Sequence, residues 1–160
     1  MGAGKTKTLI RVCQTLIRYS HKNNQGVRIL VVCPKSITDK VWGKECYKWG
    51  INRNISVNLL TSGAGQLQYM KWRSDQSNIT ITNTEFFRNK DKYTMFLECP
   101  PDLLIADEVH TMMGEESQQY SGLKEVSEKA SRVYLASGTP MRNNPKSMYN
   151  LIDIDRKSVV

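Results

Sequence analysis

The sequence predicts an α/β domain of three layers around a mostly parallel sheet, and three observations lead there. Short apolar, β-branched runs alternate with stretches of helical periodicity along the chain. Several of those runs are apolar at consecutive positions, as strands covered on both faces are. The 160 residues suffice for one domain with a sizeable core. Buried strands joined by helices imply right-handed crossovers and layers of helix on either side of the sheet.

Each element has its own signal. Leu9, Ile10, Cys13, Leu16 and Ile17 recur at helical spacing after Thr6, so the chain opens in an amphipathic helix. Val27 to Cys33 is a near-continuous apolar strand, ended by Pro34. Ser36 begins a helix that runs to about Lys48 with Val41, Trp42, Cys46 and Trp49 on or near one face. Ile55 to Leu60 is a second strand, Gly65 to about Arg73 a helix, and Ile79 to Thr82 a third strand. Leu103 to Ala106 and Arg132 to Ala136 are the fourth and fifth strands, separated by a polar helix over Ser117 to Lys129. Ser147 to Leu151 is helical again.

Composition narrows the class. No apolar run approaches membrane-spanning length, and the start lacks the apolar stretch of a signal peptide. Cys13, Cys33, Cys46 and Cys99 show no C-x-x-C pairing, which argues against zinc and needs no disulfide framework. Three of them sit on apolar faces as small core residues. An intracellular, reducing compartment is expected, cytoplasmic for a bacterial or phage protein. Residues 1–95 carry 16 Lys/Arg against 5 Asp/Glu, whereas residues 96–160 carry 7 against 10, within a net charge of +8. A basic segment of that size suits a polyanion; scattered lysines that merely solvate helices explain the charge equally well.

Two motifs carry chemistry. Gly2, Ala3, Gly4, Lys5 and Thr6 form the second half of a phosphate-binding loop. In that loop backbone N–H groups cradle phosphates, the lysine reaches the β/γ-phosphates and the hydroxyl serves Mg²⁺. The helix that follows adds its own N–H groups and positive dipole end. The first glycine of the full motif, and the strand that launches it, would lie before residue 1. Leu103 to His110 then sets two carboxylates at the end of an apolar strand, where open α/β sheets place ligands. Asp107 would hold Mg²⁺, through water, and Glu108 would polarise an attacking water, roles that suit phosphoryl transfer.

A third motif, Leu135 through Asn144, completes a pattern that resembles the superfamily-two helicases and translocases, in particular their Swi/Snf-like branch. Met1 to Thr6 is similar to that branch's first motif, and Val32 to Ser36 to motif Ia. Trp42, Glu45 and Trp49 match its W-x-x-E-x-x-x-W helix, and Ile81 to Glu85 is similar to motif Ib, where a tyrosine often stands at the place of Thr84. Asp107 to His110 is a DExH box and Ser137 to Asn143 is motif III.

The resemblance implies the first of two RecA-like lobes of a nucleic-acid-dependent ATPase that uses ATP and Mg²⁺, with the P-loop strand missing and the chain truncated at both ends. It implies that Gly2, Ala3, Gly4, Lys5 and Thr6 hold the nucleotide, that Thr6 and Asp107 serve the metal, and that Glu108 is the base. His110, Ser137, Gly138 and Thr139 would couple the γ-phosphate to the nucleic-acid face. Lys35, Ser36, Asn83 and Thr84 would touch one strand's backbone without reading bases. The partners implied are nucleic acid, DNA favoured, and a second lobe supplied by the rest of the chain or by another chain. On this reading residues 1–160 are a partial ATP-binding domain that hydrolyses ATP poorly alone. Trp42 and Trp49 read as core residues rather than base-stacking platforms, and His21 as an exposed, inert side chain. A truncated lobe that binds nucleic acid without turnover is the alternative. A small-molecule kinase fits poorly, because it gives the DExH box and motif III no role.

Overall fold

A computed structural model describes residues 4–49, 56–61, 66–74, 78–108, 117–138 and 153–154. The chain runs α1 (Lys5–Lys22), β1 (Arg28–Cys33), α2 (Lys35–Ile37), a π-helical turn (Thr38–Gly43), α3 (Lys44–Lys48), β2 (Ser56–Leu60) and α4 (Gln66–Arg73). It continues through β3 (Asn78–Asn83), a 3₁₀ turn (Thr84–Arg88), α5 (Lys90–Glu98), β4 (Leu103–Asp107), α6 (Gln118–Lys129) and β5 (Arg132–Ala136). The five strands are all parallel, in the order β2-β3-β1-β4-β5.

The alternation of side chains across each strand sorts the core into two apolar layers. Ile29, Val31, Cys33, Ile79, Ile81, Leu103 and Ile105 point to one face and meet Ile10, Cys13 and Ile17 of α1 with Trp42 and Cys46. Leu30, Val32, Leu104, Ala106 and Val133 point to the other, where Trp72, Phe87, Phe96, Leu123 and Val126 cover them. β1 and β4, at the middle of the sheet, are buried almost throughout, which is why their sequences read as unbroken apolar runs. β5 borders the described sheet, and its Tyr134 is exposed.

All five strands stand within two residues of their expected bounds. The helix expected from Ser36 to Lys48 is instead three pieces with a π-helical centre. The helix α5 and the 3₁₀ turn before it are additional. At the start of α5 the Asn89 side chain accepts a hydrogen bond from the Asp91 N–H at 2.9 Å. The helix expected over Ser147 to Leu151 lies outside the described residues. Cys13, Cys33 and Cys46 are buried and free, and burial pushes each thiol up to about 12. No described helix is long and apolar enough to cross a membrane.

Gly122 sets the approach of α6 to its neighbours. A Cβ there would stand 2.8 Å from the Phe87 carbonyl oxygen and 2.8 Å from the Tyr93 ring. Gly122→Ala is therefore expected to destabilise the fold by about 1–3 kcal/mol, although alanine is the better helix former. A denaturant midpoint equal to or above wild type would refute that close contact.

Candidate nucleotide site

The parallel register brings the carboxyl ends of β1, β3, β4 and β5 to one edge. Cys33 lies opposite Asn83, Val32 opposite Ala106, and Asp107 opposite Ala136. Those functional residues read from the sequence that are described lie at this edge or on the segments that leave it, together with the start of α1.

Gly4 takes a left-handed backbone, φ 76°, and turns the chain into α1. Glycine suits that conformation because a Cβ would be strained there. Lys5 opens the helix and reaches across to Glu108, its Nζ 2.7 Å from Oε1. Thr6 follows in the first turn, half-buried. That turn carries no acidic side chain of its own.

Glu108 also has a left-handed backbone, φ 53°, unusual for a residue with a side chain. Its amide donates to the Ala136 carbonyl at 2.7 Å, which ties the end of β4 to the end of β5. Its Oε2 accepts the Gly138 amide at 3.2 Å. The Gly138 backbone is so near that a Cβ there would lie 3.4 Å from the Lys5 ammonium and 3.5 Å from Oε1 of Glu108. Loop, carboxylate and third motif thus meet at one point.

Asp107 is buried beside this pair, 3 % exposed. Trp42 donates its indole N–H to Oδ2 at 2.9 Å, while Oδ1 is buried and has no hydrogen-bond partner. Burial raises the carboxyl above the usual range, against the Trp42 hydrogen bond and the Lys5 charge, which lower it; the Glu108 charge raises it and the Glu108 backbone N–H lowers it. A buried carboxylate oxygen with nothing to satisfy it fits a hard cation or its bound water.

Lys35 and Ser36 are exposed just past the end of β1. Asn83 and Thr84 stand beside them at the end of β3 but are buried, 2 % and 8 % exposed. They form the floor under this edge, and Lys35 and Ser36 present its polar surface. Ser137 is half-buried after β5. Gly2, Ala3, His110 and Thr139 lie outside the described residues.

The two tryptophans divide. Trp42 is in the core as expected, but its polar end serves Asp107, a role the reading as core missed. A buried indole N–H needs an acceptor, which is the signal that could have found it. Trp49 is only partly buried, and it fastens α3 to α1. Its ring faces Lys7 Nζ at 4.3 Å, its carbonyl accepts from Gln14 Nε2 at 2.6 Å, and its indole donates to Glu45 Oε2 at 2.5 Å. His21 is exposed in the last turn of α1.

The family model described as the SNF2-related domain matches residues 1–159. This chain belongs to the SNF2-related domain family. Among curated relatives, the human DNA repair and recombination protein RAD54-like is 30 % identical over 95 % of the chain and 21 % of its own length. The RAD54 protein of Saccharomyces cerevisiae is 24 % identical over the whole chain and 19 % of its own length. The SNF2-related domain described here thus spans about a fifth of either relative. In fold it is similar to the Sulfolobus solfataricus SWI2/SNF2 ATPase core, solved in complex with double-stranded DNA. The TM-score is 0.72 and the identity 22 %, over 98 % of this chain and 30 % of that one.

Proposed function

We propose that this chain is the ATP-binding and hydrolysing lobe of a DNA-stimulated ATPase, a translocase or helicase of the Swi/Snf type. The observation that carries this reading is the meeting of Lys5, Glu108 and Gly138 at the sheet edge, with buried Asp107 beside them. Relatives named for DNA repair and recombination, and a similar fold solved on duplex DNA, support DNA as the partner.

The residues divide the work by position. Phosphates entering at Gly4 and the start of α1 draw the Lys5 ammonium away from Glu108. The released carboxylate then accepts a proton from an attacking water, which it also orients. Magnesium, when bound at Thr6 and Asp107, supplies charge neutralisation on the phosphate oxygens. Gly138, whose amide touches Glu108, reports the change in that carboxylate to the segment after β5. Lys35 and Ser36 hold the DNA backbone at the same edge, giving sequence-independent, salt-sensitive binding. A second lobe closing on this edge completes the motor.

ATP hydrolysis by the full-length protein, measured with and without duplex DNA over a salt series, tests the reading. DNA is expected to raise turnover, and the stimulation to fall as salt rises. Lys5→Ala is expected to abolish turnover while DNA binding persists. DNA binding with no turnover in the wild type would favour instead a lobe that binds nucleic acid without cycling.

A further inference from the structure

The segment carrying the exposed pair Lys35 and Ser36 runs without a break into Trp42, and Trp42 ends on Asp107. Thr38 and Trp42 in the π-helical turn and Cys46 in α3 follow one another four residues apart, and all three are buried.

Both ends of the segment are fixed. At its start, the Thr38 hydroxyl donates to the Pro34 carbonyl at 3.1 Å and accepts from the Cys33 thiol at 3.5 Å, which holds it to the end of β1. At its end, the Trp49 carbonyl is bound by Gln14 of α1, the helix that begins with Lys5. Between them the Trp42 side chain, wholly buried, occupies one oxygen of Asp107 and leaves the other without a partner.

We propose that Trp42 is a positioning residue whose indole N–H fixes the Asp107 carboxylate and ties the DNA-facing Lys35–Ser36 segment to the metal site. The role rests on the ATPase reading above. A carboxylate held by one oxygen keeps its plane fixed, so the direction in which the second oxygen meets metal or its water is set. Movement of the segment on DNA is transmitted to that carboxylate through a rigid two-ring side chain.

Two replacements in the full-length protein test this: Trp42→Phe, and β-(3-benzothienyl)alanine at position 42, which keeps the two-ring shape and lacks the N–H. Four quantities are read: the Mg²⁺ midpoint for binding a fluorescent ADP analogue, the affinity for that analogue in EDTA, the affinity for duplex DNA, and the stimulation of turnover by DNA. The Mg²⁺ midpoint is expected to rise about ten- to hundred-fold in both, as for loss of other groups that orient a metal ligand. DNA stimulation is expected to fall with it, while affinity in EDTA and affinity for DNA stay at wild-type values. An unchanged Mg²⁺ midpoint in the benzothienyl protein overturns the role, and so does a parallel loss of all four quantities, which would make Trp42 a packing residue only. A wild-type protein without Mg²⁺-dependent nucleotide binding overturns the ATPase reading and this role together. A normal wild type with unaffected replacements overturns the role alone.

Discussion

Glu108→Gln is expected to lower turnover about 10²–10⁴-fold, the range for loss of a positioned general base, while ATP binds at least as tightly as to wild type. Glutamine keeps the length of the side chain and can still receive the Gly138 amide on its carbonyl oxygen, so the local backbone has no reason to move. It removes the negative charge that holds the Lys5 ammonium at 2.7 Å. Phosphates then compete with a neutral amide rather than a carboxylate for the same lysine. Both partners of the pair are about one-third exposed, so solvent already screens it and the gain in affinity is modest. Steady-state hydrolysis and a fluorescent-nucleotide titration separate the two effects. Loss of binding in step with loss of turnover would show that Glu108 props the site open rather than serving as its base.

The fold was legible because its middle strands are apolar at consecutive positions. Val31 and Val32 face opposite layers, and both are fully buried, so the run Val27 to Cys33 could belong only to a strand covered on both sides. The site was legible where chemistry demands residue types at fixed spacing, as in Gly4-Lys5-Thr6 and Asp107-Glu108. The parts that were not legible depend on distance in sequence or on register. Trp42 and Asp107 are 65 residues apart, and nothing local announces their hydrogen bond. A π-helical turn has the same composition as an α-helical one, so the segment after Pro34 reads as a plain helix. α5 begins with Lys90, Asp91 and Lys92, and its buried residues Tyr93, Met95 and Phe96 do not fall on a clean helical stripe. Asn83 and Thr84 are polar, and nothing in their composition announces that both are buried.

Phe96 of α5 shows how much the fold owes to that unannounced helix. It is fully buried, stands edge-on to Trp72 with ring centres 4.9 Å apart, and lies within 5.7 Å of Phe86 and 6.1 Å of Phe87. Truncation to alanine removes a ring from the centre of an aromatic cluster whose rigid members close poorly around a void. Phe96→Ala is therefore expected to cost about 3–5 kcal/mol, a large share of the roughly 5–15 kcal/mol that holds a domain together. At about 2–4 °C per kcal/mol, the thermal midpoint should fall by roughly 6–20 °C. Leu67→Ala on α4, where the side chain is 61 % exposed, should stay within about 0.5 kcal/mol of wild type. Nucleotide affinity of Phe96→Ala measured well below its midpoint should match wild type, because α1 and Trp42 pack on the opposite face of the sheet. A thermal midpoint no lower than that of Leu67→Ala would mean that α5 does not seal this layer. A loss of nucleotide binding in the still-folded protein would mean that the two layers are coupled through the sheet more tightly than their separate packing implies.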